Sequence, residues 1–145
     1  MTRAMWLAED EMELPSAGLA DTSLFIAQES GRHFSVAAVP MRCYVSVVTA
    51  AELEAGLLVA GDIEARAARL ATYQAVMRLE LLAIDRQVTH QWAKLRVAVA
   101  EAGRRVNVND MWIAATALAN QLPVVTQDND FVALADLGGP PVILV

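Results

Sequence analysis

The sequence predicts an α/β domain in which helices cover both faces of a central, mainly parallel sheet. Short apolar segments alternate with helical segments along the chain, an order that is typical of parallel strands connected by helices. The 145 residues suffice for one domain with a substantial core, and no internal repeat or low-complexity linker divides them. We therefore expect residues 17–145 to form this domain. Residues 1–16 are expected to be a polar N-terminal appendage, or sequence upstream of a later start.

Strands and helices are expected in strict alternation over most of the domain. The expected strands are residues 18–21, 44–48, 80–84, 122–126 and 141–145. The expected helices are residues 22–29, a segment that opens at Thr49, residues 62–78, residues 85–102, a segment that follows Asn107, and residues 129–137. Residues 31–40 are rich in turn-forming residues and carry no clear periodicity.

Local signals support several of these boundaries. Residues 49–52, Thr-Ala-Ala-Glu, match a capping box, which predicts a helix start at Thr49. Residues 85–102 are amphipathic, and Gly103 is suited to the C′ position that ends such a helix. Asn107 can cap the next helix, which places Asp110 at its third residue.

Composition and charge exclude several classes of protein. The hydrophobic content of 56% is high for a soluble monomer, so part of the apolar surface is expected to bind a partner or a second copy of the chain. A single cysteine, Cys43, excludes an internal disulfide and fits the reducing cytoplasm. No apolar segment is long enough to span a membrane. The net charge of −6 argues against non-specific nucleic-acid binding by the whole surface, but not against a nuclease whose acids hold a metal.

Asp110 is the most informative residue of the chain. At helical spacing it shares a face with Ile113, Ala114 and Ala117, which is the face expected to pack on the core. A carboxylate there is costly unless it is paired or bound to a cation. Asp128 follows the end of the 122–126 strand and cannot pair with another acid. Two acids that converge in this way indicate a divalent metal.

Two further acids are expected near the same place. Asp21 ends the first strand, and Glu52 lies near the start of a helix that follows the second. In open α/β sheets, functional residues collect beyond the carboxyl ends of the strands. Carboxylates that share one cavity raise one another's pKa, and Mg²⁺ or Mn²⁺ would relieve this repulsion. Such a centre can activate water for attack on a phosphodiester.

Each acid also has an ordinary structural explanation. Glu52 could return to the Thr49 amide, Asp110 could stabilise a helix start, and Asp128 could cap the last helix. The Arg104-Arg105 pair is ordinarily a solvated helix end, yet it is the best candidate in the sequence for contacts to substrate phosphates.

Four segments resemble those of PIN-domain ribonucleases, specifically the VapC-type toxins of bacterial toxin–antitoxin pairs. They occur in the order of that family and cover the chain from about residue 17 to its end. The segments are Leu19-Ala20-Asp21-Thr22-Ser23, residues 46–53, residues 109–117 and residues 124–131. The chain departs from the family in its N-terminal appendage, because the first acid of the family usually lies closer to the start.

The resemblance implies a PIN-like three-layer sandwich with Mg²⁺- or Mn²⁺-dependent endoribonuclease activity on RNA, homodimerisation, and neutralisation by a cognate VapB-type antitoxin. By position, the family's acidic quartet corresponds to Asp21, Glu52, Asp110 and Asp128, with Asp21, Asp110 and Asp128 as metal ligands. Asp130 corresponds to an auxiliary acid, and Thr126 is expected to support the site by hydrogen bonding.

Two alternatives remain open at this point. One is a PIN-like nuclease that acts on DNA or structured nucleic acid, although the short chain has no room for an arch or clamp. The other is a non-catalytic binding module, against which the intact acids at all four positions argue. For the antitoxin we expect a groove between the helices after Thr49 and over 62–78. Its expected lining is Ala55, Gly56, Val59, Ala67, Leu70, Val76 and Met77. A separate apolar patch that includes Trp112 would form the homodimer.

Overall fold

Five parallel strands form one central sheet with the order β3-β2-β1-β4-β5. The structure, a computed structural model, describes residues 15–145. The strands are β1 (Ala17–Ala20), β2 (Arg42–Ser46), β3 (Glu80–Leu82), β4 (Val124–Thr126) and β5 (Val142–Leu144). Because β1 and β4 are neighbours in the middle of the sheet, their carboxyl ends open next to each other.

Six α-helices connect and flank these strands. They are α1 (Thr22–Ser30), α2 (Val47–Leu58), α3 (Ile63–Val76), α4 (Arg86–Glu101), α5 (Val108–Ala119) and α6 (Asp130–Ala135). One turn of 3₁₀ helix at Val36–Ala38 interrupts the connection between α1 and β2. The predicted α/β class with a parallel sheet between two helical layers is confirmed.

Alternating strand residues supply two separate hydrophobic cores. Leu19 and Val124 face a core shared with α4, α5 and α6, whereas Ala20 and Val125 face one shared with α1, α2 and α3. Neighbouring residues of a strand point to opposite faces, so these short strands are buried on both sides. The sheet therefore holds its carboxyl end rigidly between two packed layers.

The predicted boundaries agree with the structure to within two residues, but the residue that caps α2 differs from the prediction. The predicted cap at Thr49 is wrong, because α2 begins at Val47 and Ser46 Oγ accepts a hydrogen bond from the Val48 amide at 3.0 Å. Thr49 is a fully buried residue inside the first turn. The capping box was therefore matched in sequence but is not used.

The end of α4 follows the prediction closely. Gly103 adopts a φ of 67°, and its amide donates to Ala100 O while the Arg104 amide donates to Val99 O. These two bonds form a Schellman motif, whose left-handed residue is favourable for glycine. The motif turns the chain sharply towards α5 and exposes the two arginines that follow.

The predicted appendage lies almost wholly outside the described residues, apart from Pro15 and Ser16. The Ser16 carbonyl accepts a hydrogen bond from the Arg42 amide at 3.2 Å, so the pairing of β1 with β2 begins there. Among residues 15–145, no helix combines the length and the apolar character that a membrane crossing needs.

Candidate metal centre

The carboxyl ends of β1 and β4 bring several acidic residues together. Asp21 directly follows β1 and forms the N-cap residue of α1, while Asp128 lies two residues beyond β4. Asp130 is the first residue of α6, and Asp110 is the third residue of α5. This end of the sheet is where parallel α/β folds place their functional groups.

Asp21 is buried, with 3% of its surface exposed. Its Oδ1 accepts a hydrogen bond from Ser23 Oγ at 2.7 Å, and its amide donates to Val125 O at 3.1 Å. Asp21 makes no side-chain cap to α1. The role of a simple helix cap therefore does not explain this carboxylate.

Thr126 connects the two acidic strand ends. It is fully buried, and its hydroxyl accepts a hydrogen bond from the Asp128 amide at 2.8 Å. The same hydroxyl lies 3.2 Å from Ser23 Oγ, which also accepts from the Gln127 amide. The chain after β4 is thus held to the start of α1 by these hydroxyl groups.

Three acids form the tightest group, which we call the acidic cluster: Asp110, Asp128 and Asp130. One carboxylate oxygen from each lies within 4.8 Å of the other two. Asp128 Oδ1 also accepts a hydrogen bond from the Asp130 amide at 3.0 Å. Asp21 lies outside this group of three, and Asp130 is brought into it rather than lying at its margin.

Glu52 approaches from α2 and is held by a threonine pair. Thr22 Oγ1 donates to Glu52 Oε1 at 2.7 Å, and Thr22 Oγ1 lies 3.0 Å from Thr49 Oγ1. The alternative in which Glu52 returns to the Thr49 amide is wrong, because α2 starts two residues earlier. Glu52 is instead directed by α1 towards the other acids.

Burial and mutual repulsion perturb two of these acids. Desolvation, together with repulsion from Asp128, raises the pKa of Asp21 to about 6, although hydrogen bonds from Ser23 and Thr126 oppose the rise. Desolvation also raises the pKa of Asp110 to about 7, with further contributions from the charges of the other four acids. The electrostatics therefore join Asp21, Glu52 and the acidic cluster into one site, which we call the acidic site.

The donor set of the acidic site fits a hard divalent cation. The grouped ligand atoms are all carboxylate oxygens, which Mg²⁺ and Mn²⁺ prefer over nitrogen and sulfur. Within residues 15–145, no cationic side chain contributes to the pKa of Asp21 or Asp110. A bound cation would supply the missing positive charge.

The structure also places residues that the sequence only partly identified. Arg104 and Arg105 are exposed at the end of α4, and Arg104 Nη1 donates to Ala133 O of α6 at 3.4 Å. Ser23 and Thr22 were not predicted as site residues. Their position directly after Asp21 was the available signal, because hydroxyls at a helix start commonly bond nearby acceptors.

Known proteins resemble this chain over most of its length. The family model for the PIN domain matches residues 19–137. Ribonuclease VapC5 from Mycobacterium tuberculosis is 49% identical over 131 residues, which cover 90% of this chain and 97% of that protein. Ribonuclease VapC4 from the same organism is 46% identical over 119 residues, covering 82% and 92%. A chain in the crystal structure of VapBC-5 from M. tuberculosis, a member of the VapBC family of toxin–antitoxin systems, superposes with a TM-score of 0.83. It is 46% identical, and the match covers 90% of this chain and 100% of that chain.

Proposed function

The chain belongs to the PIN domain family and to its VapC-type ribonucleases, and from this premise we propose that it is a metal-dependent endoribonuclease. It would act in the cytoplasm as the toxin of a VapBC-type pair. The observation that carries the proposal is the acidic cluster, whose three carboxylates lie within 4.8 Å of one another beside buried Asp21. The mutual repulsion of these carboxylates destabilises the folded protein unless a cation is bound.

We assign the ion to Asp21, Asp110 and Asp128, with Asp130 as an additional oxygen donor. Mg²⁺ usually keeps several of its waters, so Asp21 can act on the ion through a water although it lies outside the acidic cluster. When bound, the ion supplies Lewis-acid stabilisation for a reacting phosphate and lowers the pKa of a bound water. Glu52 adds negative charge at the side formed by α2.

The protein's own residues hold this arrangement in place. Ser23 and Thr126 fix Asp21 and the chain that leads to Asp128, while Thr22 orients Glu52. In the proposed reaction, water attacks the phosphorus, the bond from phosphorus to the 3′ oxygen breaks, and that oxygen leaves as a hydroxyl. The products are a 3′-hydroxyl and a 5′-phosphate, so the 2′-hydroxyl takes no part.

Substitution of single acids tests the assignment. With a single-stranded RNA and saturating Mg²⁺, Asp21→Asn and Asp110→Asn are expected to lose more than about 100-fold in cleavage rate, since even partners of a metal's ligands are worth about 10–100-fold. Asp85→Asn is a matched control, because Asp85 caps α4 through the Val88 amide and asparagine caps equally well. Full activity in Asp110→Asn would show that Asp110 only starts a helix.

For the antitoxin we propose a docking groove between α1, α2 and α3. A cavity of about 390 Å³ lies there, and Ile26, Glu52, Gly56 and Val59 are among the residues that line it. Ile26 is 45% exposed and Val59 is 76% exposed, so both could receive apolar anchors of an amphipathic helix. A basic side chain of that helix could then pair with Glu52 and compete with the metal.

One residue of the predicted groove is corrected. Val76 is fully buried in the core below α3 and cannot contact a partner, because the helix turns that residue towards the sheet. Val59→Asp should weaken neutralisation by the cognate antitoxin and leave RNA cleavage unchanged. Val97→Asp, on the exposed side of α4, is the matched control. Equal neutralisation of both variants would place the antitoxin elsewhere.

A further inference from the structure

A basic pocket lies beside the first turn of α5, and we call it the arginine pocket. Its volume is about 300 Å³, and it is formed by the last turns of α4, the connection to α5 and the start of α5. The residues used below are Trp92, Arg96, Arg104, Arg105, Val108 and Met111.

The arginine pocket concentrates positive charge in an acidic protein. Three arginine residues line it, although the chain as a whole carries a formal charge of −6. Within residues 15–145, one hydrogen bond engages them, from Arg104 Nη1 to Ala133 O. All three arginines are exposed, so most of their donors are free to bind an anion, and arginine is well suited to two-pronged contacts with phosphate.

Trp92 supplies an apolar side of the arginine pocket. Its ring is fixed by stacking on Trp112, with centroids 4.9 Å apart and planes inclined by 18°. The indole Nε1 is buried and not accessible from the pocket, so the polar contacts to a ligand would come from the arginines.

The arginine pocket and the acidic site share one helical turn. Val108 and Met111 line the pocket, and Asp110, between them in sequence, belongs to the acidic cluster. On the far side, Arg104 contacts Ala133 of α6, the helix that begins with Asp130. A strand whose scissile phosphate lies at the acidic cluster can therefore continue into the pocket.

We propose that the arginine pocket binds a phosphate of single-stranded RNA next to the phosphate that is cleaved. Arg96, Arg104 and Arg105 contact the phosphate oxygens, and the ring of Trp92 forms an apolar side of the site. The inference rests on the proposed ribonuclease function and deepens it. It adds Arg96 as a positioning residue that holds the substrate strand without touching the reacting atoms.

The salt dependence of RNA binding tests this inference. Binding of a fluorescein-labelled single-stranded RNA to the full chain is measured by anisotropy in EDTA, over a range of NaCl concentrations. Each phosphate contact to single-stranded RNA contributes about 0.7 to the slope of log affinity against log salt. Because the three arginines share one phosphate, the double variant of Arg96→Gln with Arg105→Gln should lower the slope by up to about 0.7, and each single variant by a part of that. Arg86→Gln, at the opposite end of α4, should leave it unchanged.

Cleavage kinetics provide a second test. With Mg²⁺, Arg96→Gln and Arg105→Gln should raise the KM for RNA cleavage and keep kcat within about twofold, as expected for lost uniform binding.

The outcomes separate this inference from the proposed function. Active wild-type enzyme with slopes for Arg96→Gln and Arg105→Gln equal to that of Arg86→Gln would overturn the pocket assignment and leave the ribonuclease intact. Variants that weaken only antitoxin binding would also overturn it, because the pocket would then be a protein interface. A wild-type chain that neither binds nor cleaves RNA would overturn both proposals.

Discussion

Asp110→Asn is expected to stabilise the metal-free protein near neutral pH and to abolish most of its response to Mg²⁺. The pKa of Asp110 is raised from 3.8 to about 7, first by desolvation and then by the charges of neighbouring acids. The folded protein therefore binds this proton more tightly than the unfolded chain does. The free energy of unfolding consequently falls as the pH rises from about 4 to about 7.

The size of the effect follows from the pKa and the exposure of the side chain. At about 1.4 kcal/mol for each pKa unit, the raised pKa corresponds to at most about 4 kcal/mol. Because Asp110 is only half-buried, screening by water reduces this to about 1–2 kcal/mol. Removing the charge also forfeits about 0.3–1 kcal/mol of interaction with the start of α5. The net stabilisation should be about 1 kcal/mol, or roughly 3–5 °C in Tm.

Thermal unfolding in EDTA at about pH 4.5, 6 and 8 measures this difference. We expect the variant to exceed the wild type at pH 8 and the two to converge at pH 4.5. Added Mg²⁺ should then raise the Tm of the wild type well above that of the variant. Asp85→Asn is the control. Its Tm should not rise above that of the wild type at pH 8, and Mg²⁺ should raise its Tm as much as that of the wild type. A variant that is less stable at every pH, or that Mg²⁺ stabilises as strongly as the wild type, would refute the reasoning.

Three further predictions concern packing and assembly. In urea unfolding, Thr126→Val should lower the free energy of unfolding by about 1–3 kcal/mol, and it should slow RNA cleavage, because the Asp128 amide loses its hydrogen-bond partner. The control Thr72→Val, at an exposed position of α3, should lower the free energy of unfolding by less than about 0.5 kcal/mol. Gly18→Ala should lower the free energy of unfolding by about 1–3 kcal/mol, because the new Cβ would lie 2.6 Å from a valine methyl in β4. Gly56→Ala should raise the free energy of unfolding by about 0.5–1 kcal/mol, because Gly56 lies at an open position of a helix. Light scattering on the isolated chain should give the mass of a dimer, and a monomer at high concentration would contradict the homodimer expected from the sequence.

The fold could be predicted from sequence because its signals are local and repeated. Strands that are buried on both faces form short apolar segments, and the helices between them carry caps such as Asp62 and Asp85. The start of α2 was misplaced because two caps compete there. Ser46 ends a strand and bonds the backbone, while the Thr49 hydroxyl is drawn to Thr22 on another element. A contact between residues 27 positions apart leaves no trace in local sequence.

The candidate site was only partly accessible to sequence reasoning. The positions of Asp21, Asp110 and Asp128 follow from strand ends and helix periodicity, and all three lie at the carboxyl end of the sheet. The direction of each side chain depends on tertiary hydrogen bonds, so the entry of Asp130 into the acidic cluster could not be predicted. Arg96 was missed for a similar reason. It lies on the solvated side of α4, and only the turn at Gly103 brings two other arginines to it.

The chemistry of the RNA ends tests the central claim most directly. One single-stranded RNA is incubated with the full chain in EDTA, in Mg²⁺ and in Mn²⁺, and the ends of the fragments are identified by mass spectrometry. We predict no cleavage in EDTA and fragments with 5′-phosphate and 3′-hydroxyl ends in either metal, as water attack at the acidic site requires. Fragments that end in a 2′,3′-cyclic phosphate, or equal cleavage in EDTA, would contradict a metal-dependent hydrolysis at these carboxylates.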